Sequence, residues 1–245
     1  MIRDSACADE VTPSPNHGDR RGRSVDALVL HYTGMSSGGS ALARLRDPAS
    51  NVSCHYLIWE DGRIAQLVPE ARRAWHAGRS IWAGETDMNA VSIGIEIVNE
   101  GHDGDCPPYP DAQIDAVIAL CRDIVSRHAI PASRVLAHSD IAPDRKIDPG
   151  EWFPWARLAA AGVGLWVEPA PIVDGPVLRP GDAGEAVAMV QGALARLGFD
   201  VPVSGRFCGV TSLAVSAFQR HWRQARVDGA VDVSTRDVLA ALITA

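Results

Sequence analysis

From Ala137 to Gly150 the chain reads Ala-His-Ser-Asp-Ile-Ala-Pro-Asp-Arg-Lys-Ile-Asp-Pro-Gly. One histidine, one lysine and three aspartates lie among prolines that forbid a long helix. His138 and Asp148 can therefore converge from an irregular loop, with Lys146 two residues from Asp148. A neutral imidazole and a carboxylate are two of the ligands that a catalytic zinc takes. Such a site needs a third protein ligand and one open position.

His31 is the best candidate for the third ligand. Ala27-Leu-Val-Leu-His-Tyr-Thr33 is a short apolar run rich in strand formers, followed by Gly34. A buried strand that stops at a histidine presents the imidazole at the end of a sheet, where ligand sites open. A second strand, Val91 to Val98, alternates with period two. Ile93, Ile95 and Ile97 take one face, and Ser92, Gly94 and Glu96 take the other. A carboxylate in such a strand is costly to bury unless something pairs with it or uses it. Gly94 leaves room for a ligand to approach the backbone, and Glu96 reads as a general base. Taken singly, each residue also has an ordinary reading. A histidine can be a satisfied core residue, Glu96 a salt-bridged strand residue, and the Asp-Pro pairs turns.

Six segments occur in order: Ser14-Pro-Asn16, Leu30-His-Tyr-Thr33, Ser53-Cys-His-Tyr-Leu57, Ala74-Trp-His-Ala-Gly78, Ile93-Gly-Ile-Glu-Ile-Val-Asn99 and the loop 137–150. Over about residues 12–160 the chain resembles the type-2 zinc N-acetylmuramoyl-L-alanine amidases, AmpD-like enzymes related to peptidoglycan-recognition proteins. The resemblance implies zinc held by His31, His138 and Asp148. It implies Glu96 as the catalytic carboxylate and Lys146 beside the reacting carbonyl, with Asn51, His55, Trp75, His76 and Asn99 lining the substrate cleft. His17, His102, His128 and His221 match no ligand position. Asp140 and Asp144 share the loop, but the family pattern puts the ligand at Asp148.

The implied reaction is hydrolysis of the amide joining the lactyl group of N-acetylmuramic acid to L-alanine. Bound zinc polarises a carbonyl and acidifies water. Glu96 would take the water's proton and pass it to the departing nitrogen, a role of about 10²–10⁴-fold in rate. Lys146 would stabilise the oxyanion, because a fixed charge in a dry site acts most where charge develops.

Composition agrees with a soluble enzyme. The 245 residues suffice for one ordinary domain and a small one, and 47% are hydrophobic, enough for a proper core. A net charge of −7 without basic blocks argues against nucleic acid and anionic membrane partners. No apolar stretch approaches the ~20 residues of a membrane helix. Five scattered cysteines suit a reducing compartment better than a disulfide framework. Residues 1–10 lack the apolar core of a signal peptide. The expectation is a cytoplasmic monomer whose partner is a muropeptide or peptidoglycan.

The expected fold is α/β, a mixed central sheet flanked by helices, plus a small C-terminal three-helix domain. Cys54–Trp59 and Arg63–Val68 read as a hairpin about Glu60-Asp-Gly62. A helix runs from Asp111 to about His128, with an apolar stripe at Ile114, Val117, Ile118, Cys121, Ile124, Val125 and His128. Asp111 is a plausible cap and Pro131 a limit. Trp152-Phe-Pro-Trp155 could line the cleft or pack as an aromatic lid over the loop.

Prolines 169, 171, 176 and 180 mark a linker. The expected division is therefore 1–161 amidase domain, 162–180 linker and 181–245 three-helix domain. Amphipathic patterns follow at Asp182–Leu197, from Thr211 (Val215, Phe218, Trp222) and from near Ser234 or Thr235 (Val238, Leu239, Leu242). Gly205 precedes Thr211 by six residues and Gly229 precedes Thr235 by the same six, each a turn leading to a threonine placed to cap a helix. With Gln191, Phe218-Gln219 and Asp228-Gly229, residues 180–243 resemble the small peptidoglycan-binding domain. Ser204-Gly205 and Cys208-Gly209 depart from the commoner forms of its middle turn, which leaves an appendage that only packs on the amidase as the alternative.

Two branches of the family compete. The missing export signal and unpaired cysteines favour recycling of soluble 1,6-anhydro-muropeptides over an envelope amidase acting on intact wall. A non-catalytic muropeptide sensor is the reading from another class, disfavoured by the complete set His31, His138, Asp148, Glu96 and Lys146.

Overall fold

A computed structural model describes residues 2–244. Among these residues eight strands follow one another: β1 (Glu10–Val11), β2 (His17–Asp19), β3 (Ala27–Tyr32), β4 (Tyr56–Ile58), β5 (Ile64–Gln66), β6 (Arg72–Ala74), β7 (Ser92–Ile97) and β8 (Val135–Ala137). The α-helices are α1 (Gly38–Arg46), α2 (Met88–Val91), α3 (Asp111–His128), α4 (His138–Ile141), α5 (Trp155–Ala160), α6 (Glu185–Leu197), α7 (Gly209–Trp222) and α8 (Val233–Leu242).

Six strands form one mixed sheet in the order β1-β5-β4-β7-β3-β8. Within it β4, β7, β3 and β8 run parallel, while β5 returns antiparallel to β4 through the expected hairpin. Strands β2 and β6 make a separate antiparallel pair. The alternation in β7 sorts as its pattern predicts. Ile93, Ile95 and Ile97 join Leu28 and Leu30 of β3 against Ile114, Val117, Leu120, Cys121 and Ile124 of α3. Each fully buried aliphatic side chain of this kind contributes roughly 1.5–3 kcal/mol.

Helix α3 keeps the expected bounds with a different cap. Pro110 occupies the cap position and Asp111 lies inside the first turn, where its exposed carboxylate pairs with Arg157 at 2.6 Å. Leu120 completes the stripe, whereas His128 leaves it for a hydrogen bond with Glu70.

The other face of the sheet is covered by the C-terminal helices. Ala27 and Val29 of β3 share one apolar cluster with Trp82, Met88 and Val91, and with Val187, Leu194, Phe199, Phe218, Trp222 and Leu239 beyond the linker. Gly198, which ends α6 at φ 135°, lies flat against Trp82; a Cβ there would stand 2.4 Å from the indole. Residues 162–180 contain no helix or paired strand apart from a single bridge at Leu178.

The repeated glycine–threonine spacing has a structural cause, though not the expected one. Gln191 Oε1 accepts from the backbone N–H groups of Ser204 and Gly205, while its Nε2 donates to the Arg206 carbonyl and Thr211 Oγ1. Gln219 repeats the pattern with Asp228 N, Gly229 N, the Ala230 carbonyl and Thr235 Oγ1. The threonines are thus buried partners of a glutamine inside the first turn, and they cap nothing. Cys208 precedes α7, and Asp232 caps α8 by accepting from Thr235 N at 2.7 Å.

Candidate active site

The parallel strands end together, and their carboxyl ends carry the candidate residues, the usual place for a site on such a sheet. Leu30 pairs with Ala137, so the next residues, His31 and His138, emerge side by side from β3 and β8. His31 in turn lies opposite Glu96 of β7. Helix α4 begins at His138 and lasts only four residues. Asp140 closes its first turn by accepting from the backbone N–H of Ala137 at 2.7 Å. The loop then returns: Ser139 N–H donates to the Asp148 carbonyl at 3.0 Å, which brings the Asp148 side chain under the two imidazoles.

His31 Nδ1, His138 Nδ1 and Asp148 Oδ2 lie 2.8, 2.9 and 3.1 Å from one another, all on buried side chains. The far nitrogens define the protonation. His31 Nε2 is 3.0 Å from His76 Nδ1, and His138 Nε2 is 3.1 Å from the Ala77 carbonyl, which can only accept. His76 Nε2 continues to Ser92 Oγ, which donates to the Met88 carbonyl. This assignment puts a proton on each Nε2 and leaves both Nδ1 atoms bare.

Two bare nitrogens and a carboxylate aimed at one point repel one another unless a cation lies between them. Ligands about 2.0–2.1 Å from a tetrahedral ion stand roughly 3.3 Å apart, close to the spacing here. The donor set therefore fits a metal ion, and His31, His138 and Asp148 are the group of metal-type side chains gathered this way among the described residues.

Electrostatics agrees. Burial, reinforced by neighbouring His138, pushes His31 down to about 4, so its imidazole is neutral at physiological pH. Burial alone would raise Asp148, but the two imidazoles beside it, His138 first and then His31, hold it well below the usual carboxylate range. Burial also lifts Glu96 well above that range, with Asp148 adding to the rise and Lys146 opposing it.

These groups open on a cleft of about 350 Å³. Glu96, Lys146, Trp75 and His76 line it, as do Tyr32, which a motif contained without a role, and Arg44 and Asp103, for which no motif spoke. Glu96 Oε2 is buried without a hydrogen-bond partner.

The remaining expected cleft residues are not among those lining it. Asn51, exposed and next to the lining residue Val52, adopts φ 55° and donates to the Ala49 carbonyl. His55 is fully buried, with Nδ1 accepting from Gly94 N–H; burial and Arg20 push it down to about 3. Asn99 ties down the following loop through the Pro107 carbonyl and Gly101 N–H. Polar side chains near a site serve backbone groups as readily as substrates, and sequence alone does not separate the two.

The space above Gly94 is likewise filled by the His76 ring, 2.3 Å from where a Cβ would be, so it admits a side chain and no ligand. Phe153 and Trp155 are buried away from the cleft, and only Trp152 is exposed. Asp144 pairs with Arg79, His102 bridges Tyr32 to Glu151, and His221 contacts Asp140.

Comparison with known proteins identifies this arrangement. The family profile described as N-acetylmuramoyl-L-alanine amidase matches residues 21–151, which include every residue of the cluster. The chain belongs to the N-acetylmuramoyl-L-alanine amidase family. A peptidoglycan-binding domain profile matches residues 183–239 of this amidase. It is 38% identical to the N-acetylmuramoyl-L-alanine amidase AmiD of Escherichia coli, over 89% of this chain and 82% of that one. It is 44% identical to the 1,6-anhydro-N-acetylmuramyl-L-alanine amidase AmpD of Enterobacter cloacae, over 60% of this chain and 87% of that one.

Among solved structures, the complex of E. coli AmiD with anhydro-N-acetylmuramic acid-L-Ala-D-γ-Glu-L-Lys matches 95% of this chain and 92% of that one, with TM-score 0.77 and 37% identity. AmpDh3 from Pseudomonas aeruginosa matches 99% and 98%, with TM-score 0.75 and 31% identity. Both likenesses run through the C-terminal helices, so the whole architecture of the amidase is shared. No helix among its described residues is long and apolar enough to cross a membrane.

Proposed function

We propose that the amidase holds zinc through His31, His138 and Asp148 and cleaves soluble muropeptides bearing a 1,6-anhydro sugar, in cell-wall recycling. The observation that carries the reading is the convergence of two bare Nδ1 atoms on Asp148, each imidazole being pinned by a bond from its far nitrogen. Residues 1–161 would form the catalytic domain and 181–245 the three-helix domain. The anhydro sugar is favoured because a similar amidase has been captured with such a substrate.

Zinc bound here would supply a Lewis acid for the carbonyl and for water. The protein's residues supply the rest. Glu96 borders the cleft with an unpartnered oxygen. It accepts the proton of the attacking water and returns it to the leaving nitrogen of L-alanine. The affinity for protons that burial gives Glu96 suits both halves of that transfer. Lys146, on the loop between the two loop ligands, borders the same cleft and would stabilise the oxygen of the reacting carbonyl as it becomes negative. Trp75 offers an apolar wall for the sugar or the stem peptide.

The test joins zinc content of the purified chain to mass spectrometry of its products from anhydro-muramyl-tripeptide. One zinc per chain, with free tripeptide and anhydro-sugar released, is expected. Cleavage of intact sacculi but not of the soluble compound would overturn the substrate assignment. Full turnover in metal-free protein would overturn the zinc site.

A further inference from the structure

The loop that carries His138 and Asp148 is gripped from the C-terminal helices. At its start, His221 of α7 donates from Nδ1 to Asp140 Oδ2 at 2.7 Å, both side chains being buried. At its far end, Gln224 Nε2 donates to the Phe153 carbonyl at 2.8 Å, and Arg220 Nε lies 3.7 Å from Glu151. Three residues within the short stretch from Arg220 to Gln224, at and just beyond the end of α7, therefore hold both ends of a segment running from 140 to 153.

Asp140 is the critical link. The same Oδ2 that meets His221 also accepts from Ala137 N–H, closing the turn on which His138 sits. Oδ1 is buried without a partner, so Oδ2 carries the side chain's hydrogen bonding. A four-residue helix does not sustain itself, because too few internal bonds repay its ordering. Its geometry must be imposed from outside. His221 is itself clamped between Trp155 and Trp222, with ring centroids 3.7 and 3.6 Å away, which fixes where its N–H points.

We propose that His221 is a positioning residue for the metal site, holding His138 in place through Asp140, so that the three-helix part is a working component of the catalytic unit. The proposal rests on reading His31, His138 and Asp148 as metal ligands. Direct outer contacts to metal ligands are commonly worth about 10–100-fold in metal affinity, and His221, acting one step further out, belongs at the lower end of that range.

The test uses two full-length variants that separate the hydrogen bond from the stack. His221→Phe keeps an aromatic ring between the tryptophans and removes the donor. His221→Asn keeps an N–H donor where Nδ1 stands and removes the ring. Zinc affinity is read by competition with a chromophoric chelator, and amide exchange at Ala137 and Ser139 is read in metal-free protein.

A loss of about tenfold in zinc affinity and faster exchange at Ala137 are expected for His221→Phe, with His221→Asn near wild type in both. Equal behaviour of all three proteins overturns the proposal, as does an equal loss in both variants. A larger loss in His221→Asn also overturns it, because the stack alone would then hold the loop. Failure of the unaltered protein to bind zinc would sink the metal reading, while Ala137 exchange would still report whether His221 positions the loop.

Discussion

His31 and Glu96 lie opposite each other in register on adjacent parallel strands, so both side chains rise from one side of the sheet. A metal-type ligand and a carboxylate with an unpartnered oxygen are thereby held together by the most rigid part of the fold. Loop motion is not needed to assemble them.

Replacing Glu96 by Gln keeps the shape of that pair and removes the proton acceptor. The variant should bind zinc like the parent and lose about 10²–10⁴-fold in turnover. Metal analysis beside product release decides the matter; an active Glu96→Gln enzyme would exclude the carboxylate from proton transfer.

Gly94→Ala tests the support of His31. The added Cβ would meet the His76 ring at 2.3 Å, and His76 accepts the Nε2 proton of His31. Overpacking of this kind costs about 1–3 kcal/mol, and displacement of the ring should weaken zinc binding by about 10-fold or more. Denaturant midpoint and chelator competition should move together. Unchanged zinc affinity would mean that His76 does not orient its neighbour.

The two glutamines predict matched effects in the C-terminal helices. Gln219→Leu strands the N–H groups of Asp228 and Gly229, and Gln191→Leu strands those of Ser204 and Gly205. Each change should destabilise by at least about 1–3 kcal/mol, the usual cost of buried donors left unpaired. Urea titration of the full chain measures it; a neutral substitution at either position would show that water serves those donors equally well.

Glu70 sets a limit on acid stability. Burial would raise its carboxyl, but bonds from Arg127, Tyr56 and His128 prevail and bring it from 4.5 to about 2. The unfolded chain binds that proton more readily than the folded one. The contribution, about 3 kcal/mol, is therefore complete above about pH 5 and fades as pH falls towards 2. Glu70→Gln should remove this part of the pH dependence between pH 5 and 3 while lowering stability at neutral pH. Parallel curves for variant and parent would refute the assignment.

Much of the architecture was legible along the chain because it rests on periodicity. The alternation of β7, the stripe of α3 and the apolar run of β3 each bury one defined face, and local pattern suffices to identify such a face. His138 and Asp148 were paired from a single loop, but the full cluster with His31 was reached through the order of motifs, since no short spacing joins His31 to residues more than 100 positions away. Capping was read less well. Asp111, Thr211 and Thr235 are of suitable type for caps, but a cap depends on backbone geometry one residue to either side, and Pro110, Cys208 and Asp232 hold those places.

The sequence by itself determined β3, β7 and the β4–β5 hairpin, the principal helix, the three C-terminal helices and the family whose chemistry the ordered motifs carry. Only the tertiary structure decided what each polar side chain near the site is for. His55 and Asn99 serve backbone groups, whereas His76 turns towards His31 and Asp140 towards His221. Residue type records what a side chain can donate or accept. Its partner is chosen by parallel-strand register and by packing between distant segments, such as those of His221 and Asp140, 81 residues apart. No pattern within one stretch of chain contains that information.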